Sequence, residues 1–199
     1  MRILIGSNNK KKLKELQALL GEYGVELVTP ASLGLTLEPE ETGATFEENS
    51  LIKASAFSKE TGLPCIADDS GLEVRALGGR PGVYSARYAG EFATDGEKMD
   101  KLLGELEGVT DRAARFVSVA TYCAPDGTVI QARGECPGEI LHEKRGTNGF
   151  GYDPVFFCAE AGECFGEVSP EEKAKYSHRG RSLALLKEKL KPILEDNDA

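Results

Sequence analysis

The chain has 199 residues, 40% of them hydrophobic and 29% charged, which supports one packed core and excludes a disordered polymer. Its formal net charge of −9 argues against a nucleic-acid polymer as partner, since that binding needs many cations, and leaves a small polyphosphate possible only where cations are concentrated locally. Five cysteines (Cys65, Cys123, Cys136, Cys158, Cys164) without a C-x-x-C spacing and two histidines (His142, His178) suggest buried free thiols and exclude a multi-histidine metal centre, so any metal must be held by oxygen, as Mg²⁺ or Mn²⁺ is.

Arg2 to Ile5 reads as a strand, Gly6 to Asn9 as a turn, and Lys10 to Leu20 as a helix with Leu13, Leu16 and Leu20 on one face. A second strand runs from Val25 to Val28, and a polar connection rich in Glu38, Glu40 and Glu41 follows. Thr45 and Glu48 form a capping-box pattern for a helix carrying Phe46, Ile52, Ala56 and Phe57, which Gly62 and Pro64 end. Cys65-Ile66-Ala67 is a short buried strand expected to stop where Asp68-Asp69 begins. Leu77 to Gly82, with three glycines and a proline, must be irregular. Thr94 and Glu97 open a helix with Met99, Leu102, Leu103 and Leu106 inward and Gly108 as its stop. Phe116–Tyr122 and Thr128–Ala132 form a hairpin about Pro125-Asp126-Gly127, its outer strand ending near Cys136-Pro137. A glycine-rich loop, Gly146 to Pro154, leads into Val155-Phe156-Phe157, Ser169-Pro170-Glu171-Glu172 starts a short helix, and a last helix spans about Ser182 to Leu194 before a frayed tail, Glu195 to Ala199. No repeat or linker interrupts 1–199, which reads as one domain. No apolar stretch approaches the roughly 20 residues of a membrane span, and the apolar run from Met1 breaks at Gly6, too early for a signal-peptide core, so a cytoplasmic protein is expected.

Asp68-Asp69-Ser70-Gly71 is the most informative stretch, because two carboxylates follow a buried strand and alternation lets only one of them enter a given cleft. Ser7-Asn8-Asn9-Lys10-Lys11-Lys12 sits on a strand-to-helix turn, where the helix dipole favours an anion. Lysines in a first helical turn oppose that dipole, so stability alone would not select three of them. Lys173, Lys175, His178, Arg179 and Arg181 cluster between two C-terminal helices, where His178-Arg179 could donate to an oxygen-rich ligand. In Gly149-Phe150-Gly151-Tyr152-Asp153-Pro154 the glycines allow close backbone approach, and Phe150 or Tyr152 either offers a ring for a base to stack on or belongs to the core.

Taken in order, Ser7-Asn8-Asn9-x-x-Lys12-x-x-Glu15, Glu40-Glu41-Thr42-Gly43, Ala67-Asp68-Asp69-Ser70-Gly71-Leu72, Gly78-Gly79-x-Pro81-Gly82-x-Tyr84-Ser85-Ala86-Arg87, Gly149 to Pro154 and Ser177-His178-Arg179-Gly180 resemble the motifs of the inosine/xanthosine triphosphate pyrophosphatases, over nearly the whole chain. The resemblance implies an α/β fold, an elongated mixed β-sheet with flanking helices forming two lobes around a central cleft. It implies hydrolysis of ITP, dITP and XTP to the monophosphate and pyrophosphate, a Mg²⁺ requirement and a homodimer. By position it implies Asp69 as catalytic base and metal ligand and Ser7, Asn8, Asn9, Lys10, Lys11 and Lys12 as triphosphate ligands, with Lys12 the motif lysine. Ser70 would touch substrate, and Phe150, Gly151, Tyr152, Asp153, Lys173, His178 and Arg179 would complete the pocket for sugar and base. A glutamate of the Glu40-Glu41 pair would be the second metal ligand; Glu40 is chosen, although the sequence does not separate the two. The competing readings are a pyrophosphatase for pyrimidine triphosphates and a nucleotide sensor without turnover.

Overall fold

The computed structural model describes residues 1–196. Along the chain lie β1 (Arg2–Ile5), α1 (Lys10–Leu20), β2 (Glu26–Val28), α2 (Phe46–Thr61), β3 (Cys65–Val74), α3 (Asp95–Glu105), β4 (Ala113–Cys123), β5 (Val129–Ile140), β6 (Phe156–Cys158), β7 (Glu163–Cys164), α4 (Pro170–Ala174) and α5 (His178–Asp196). The strands form one open mixed sheet in the order β2-β1-β3-β4-β5-β6-β7. β1 runs parallel to β2 and β3, while β6 is antiparallel to β5 and β7. The fold class is therefore α/β with a mixed sheet, as the sequence implied.

The chain divides into two compact units, the first made of Met1–Asp69, Ser118–Gly134 and the stretch from Arg181 on, the second of Ser70–Val117 and Glu135–Gly180. In the first, alternation along β1 and β3 sends side chains to two different cores. Ile3, Ile5 and Ile66 meet Leu16 and Leu20 of α1 and Leu183, Leu186 and Leu190 of α5. Leu4, Cys65 and Ala67 meet Ala54 and Phe57 of α2. The second unit has a single core, in which Met99, Leu102 and Leu106 from α3 and its C-terminal end pack with Phe116, Ile140, Phe156 and Phe165.

Several boundaries differ from expectation. β3 does not stop at Asp68-Asp69 but continues through them to Val74, because Leu72 and Val74, both fully buried, resume the alternation that the low strand propensity of Asp, Ser and Gly hides. β5 passes Pro137 and reaches Ile140; the proline lacks an N–H, but its carbonyl accepts from Ala159 N–H and pairing with β6 begins at Gly138. The buried face of α2 runs through Phe46, Asn49, Ser50, Ala54, Phe57 and Ser58, with Ile52 and Ala56 only half-buried. Ser50 lies inside because its hydroxyl bonds Thr121 Oγ1 at 2.6 Å. The capping box expected there is half formed, since Thr45 accepts from Glu48 N–H while Glu48 reaches Ala44 N–H instead of Thr45. α5 starts at His178, before the expected Ser182, with Gly180 N–H donating to Ser177 Oγ at 3.2 Å. It also extends through Glu195 and Asp196, so that part of the expected tail is helical, while residues 197–199 lie outside the described residues. All five cysteines are free and buried.

Candidate active site

β1 hands the chain to α1 through Gly6, where an added Cβ would press on Ala67 Cβ at 3.0 Å and the Phe57 ring at 3.3 Å, so the turn lies tight against β3. Its polar side chains brace it from within: Asn9 N–H donates to Ser7 Oγ at 3.1 Å and Ala31 N–H to Asn8 Oδ1 at 2.8 Å. Asn9 is the N-cap of α1, its Oδ1 accepting from the N–H groups of Lys11 and Lys12 at 2.9 and 3.3 Å. An incoming anion therefore competes with Asn9 for these two donors. The three lysines then diverge. Lys10 and Lys11 are exposed, whereas the half-buried Lys12 donates to both carboxylate oxygens of Asp68, at 2.9 and 3.0 Å.

Asp68 and Asp69 point to opposite faces of β3. Asp68 follows Ile66 toward α1 and finds Lys12; Asp69 follows Cys65 and Ala67 on the α2 side and is 9% exposed. From α2, Lys53 donates to the Asp68 carbonyl at 2.9 Å and pairs with Glu41. One helical turn earlier, the buried Asn49 accepts from Gly43 N–H at 2.7 Å and so fixes the segment that carries the two glutamates. Of that pair, Glu41 is the one turned toward Lys53, while Glu40 is exposed. Sequence reading missed Lys53 and Asn49, although their spacing of four residues on α2 was the available signal. Among the described residues, no three His, Cys, Asp or Glu side chains converge on a ready-made cation cage. A buried Asp69 with one further carboxylate is an all-oxygen donor set that suits Mg²⁺, which takes one or two protein carboxylates and completes its shell with water and phosphate.

In the second unit, Ser70 is exposed on β3 and the Gly149–Asp153 loop has its own logic. Gly149 adopts φ +73°, and a Cβ there would sit 2.1 Å from Asp153 Oδ2, because the Asp153 carboxylate folds back under the loop. That carboxylate, in a residue 2% exposed, accepts from Phe150 N–H at 3.0 Å and from Lys173 Nζ at 2.6 Å. The Lys173 ammonium also lies 4.5 Å from the Phe150 ring centroid and 5.6 Å from that of Phe165. The two aromatics of the loop part company. Phe150 is 67% exposed, so much of its ring faces outward, while Tyr152 is core, its hydroxyl donating to the Ser85 carbonyl at 2.7 Å and burial pushing its pKa up.

His178 and Arg179 belong to the first turn of α5 rather than to a junction between helices, and both are half-buried. The His178 ring stacks on Phe116, with centroids 5.0 Å apart and planes 16° from parallel, which fixes the direction in which the imidazole presents its nitrogens. Lys175 pairs with Glu172 on the surface.

Solved structures give the class first. The Staphylococcus aureus Ham1 protein matches with a TM-score of 0.92 at 41% identity, covering 96% of this chain and 99% of that one. A nucleoside-triphosphatase/dITP/XTP pyrophosphatase from Mycobacterium abscessus matches with a TM-score of 0.83 at 46% identity, covering 94% and 98%. The chain belongs to the Ham1 family, whose pattern it matches over residues 3–189. Among relatives, a dITP/XTP pyrophosphatase of Desulfotalea psychrophila is 48% identical over 97% of this chain and 86% of its own, and one of Thermus thermophilus is 49% identical over 96% and 92%.

Proposed function

We propose that the chain is a Mg²⁺-dependent pyrophosphatase that hydrolyses ITP, dITP and XTP to the monophosphate and pyrophosphate, acting as a cytoplasmic homodimer that clears deaminated purines from the nucleotide pool. The names and near-half identity of its relatives support the substrate class. The observation that carries the reading is Lys12 held on both oxygens of Asp68, one residue before the buried Asp69.

Ser7, Asn8, Asn9, Lys10, Lys11 and Lys12 take the triphosphate. Lys12 exchanges Asp68 for a phosphate oxygen, one charge-assisted hydrogen bond for another. Asp69, with Glu40 or its neighbour Glu41, would hold Mg²⁺, which when bound supplies neutralising charge for the phosphates. Asp69 orients and deprotonates the water that attacks the α–β anhydride, and Lys12 balances the charge that gathers on the departing pyrophosphate. Ser70 contacts the substrate, and Phe150, Gly151, Lys173, His178 and Arg179 surround sugar and base, with Phe150 supplying the stacking face and the buried Tyr152 and Asp153 supporting the loop from within. Hypoxanthine and xanthine carry an oxygen at position 6, which donors of His178 and Arg179 satisfy. The amino group of adenine would oppose them, and a donor facing a donor costs about 1 to 3 kcal/mol.

The test is pyrophosphate release with Mg²⁺ from ITP, dITP, XTP, ATP, GTP and the pyrimidine triphosphates. The expected result is a kcat/KM for ITP and XTP about a hundredfold above that for ATP, or about 2.7 kcal/mol. A preference for pyrimidines, or equal rates on all, overturns the base-recognition assignment.

A further inference from the structure

We propose that Asp95, at the first position of α3, is a positioning residue that sets the direction of the Phe150 ring. The proposal rests on the reading of Phe150 as the stacking face for the base. Phe150 is 67% exposed and its ring meets the Lys173 ammonium at 4.5 Å, so the backbone that carries the ring decides whether it reaches that position. Both peptide N–H groups that flank its Cα are taken by carboxylates. The N–H of Phe150 goes to Asp153 at 3.0 Å, and that of Gly151 goes to Asp95 Oδ2 at 2.8 Å. Fixing the peptide planes before and after one Cα fixes φ and ψ there, and with them the Cα–Cβ direction.

The Asp95 end of this clamp is rigid. Thr94 caps α3 with a complete capping box, accepting from Glu97 N–H at 3.1 Å while Glu97 Oε2 accepts from Thr94 N–H at 2.7 Å. Asp95 Oδ1 is held by Lys98 at 2.9 Å, which leaves Oδ2 aimed at the loop, and α3 is anchored in the core by Met99 and Leu102. The loop needs such a hold, because Gly149 and Gly151 both have positive φ, at +73° and +59°, and glycines tolerate many alternatives to these angles. Asp95 removes those alternatives on the C-terminal side of Phe150, and a stacking platform prepared in advance spares the ligand the entropy of ordering it.

Asp95→Ala is expected to raise KM for ITP about tenfold with kcat changed less than about twofold, as a loss of ground-state and transition-state binding alike. Asp95→Asn, whose carboxamide oxygen still accepts from Gly151 N–H, stays within about threefold of the unaltered chain. In a Phe150→Ala background the Asp95→Ala change adds nothing further to KM, since it acts through the missing ring. The chain contains no tryptophan, so Phe150→Trp introduces a single reporter, and acrylamide quenching of it should rise clearly when Asp95→Ala is added. Unchanged quenching, or KM effects of Asp95→Ala and Phe150→Ala that multiply, overturns the proposal. If Phe150→Ala leaves KM unaltered, the stacking role of Phe150 fails instead, and the tryptophan quenching alone then decides whether Asp95 positions the ring.

Discussion

In two lysine–aspartate pairs the lysine itself is assigned to substrate, and these two pairs are built for different ends. Lys12–Asp68 and Lys173–Asp153 have N–O distances of 2.9 and 2.6 Å. The first joins a helix's opening turn to a strand with 24% and 11% of the two side chains exposed; the second keeps only 15% and 2%. Asp153 in addition receives a backbone N–H, and Lys173 lies over two rings. A pair at the edge of a phosphate-type turn can trade its carboxylate for phosphate at little cost, whereas a buried pair stitched to a loop cannot open without leaving a desolvated charge behind. On the proposed reading, the same two residue types serve chemistry in one unit and shape in the other.

This contrast breaks most visibly at the carboxylates. Asp69→Asn should lower kcat by about a thousandfold, or about 4 kcal/mol in the barrier, while the urea unfolding midpoint stays close to that of the unaltered chain, because the amide fills the same space. Retention of more than about a tenth of the rate would remove the chemistry from the first unit. Asp153→Ala should do the reverse kind of damage. Stripping the counter-charge from Lys173 and the acceptor from Phe150 N–H should cost about 2 to 3 kcal/mol of folding stability, below the usual figure for a buried pair because Lys173 keeps some contact with water. Asp68→Ala, at a wetter site, should cost about 1 kcal/mol or less in the same urea titration. Equal losses at the two positions would erase the distinction.

How much of this was legible in the sequence depended on the range of the interaction. Most caps and periodicities within a few residues read correctly: Asn9 sits before α1, Thr94 and Glu97 box α3, and Leu16, Leu20, Met99 and Leu102 are buried as their spacing required, although the box at Thr45 forms only by half. Readings failed where a polar residue was kept inside by a partner outside its own element. Ser50 depends on Thr121 and Asn49 on Gly43, so the apolar pattern of α2 pointed to Ile52 and Ala56 instead. β3 reads as ending at Asp68 because nothing local reveals Lys12 as the counter-charge that lets a carboxylate stay in a strand. β7, two residues long, has no pattern to detect. Of the assigned site, Lys12, Asp69 and Phe150 carry sequence signatures, whereas Lys53 shows only its four-residue spacing from Asn49 and Asp95 shows none, since each acts on an atom supplied by folding: the carbonyl of Asp68 and the N–H of Gly151.

The smallest expected effect probes the second unit through pH. The Asp95 carboxyl is held below the usual carboxylate range, first by its hydrogen bond with Lys98 and then by Gly151 N–H, against a smaller opposing contribution from desolvation. A folded pKa lower than the unfolded value means that the carboxylate's contribution to stability is fully present above the unfolded pKa of about 3.9 and fades as pH falls through the lower folded value. With 48% of the side chain in water, screening keeps that contribution small. Urea midpoints followed from about pH 6 to pH 3 should therefore decline slightly more steeply for the unaltered chain than for Asp95→Asn, the two curves approaching each other in acid. Parallel curves would mean that the ionised carboxylate contributes nothing that a neutral acceptor does not. The clamp on Phe150 would then depend on the geometry of the oxygen at Asp95 and not on its charge.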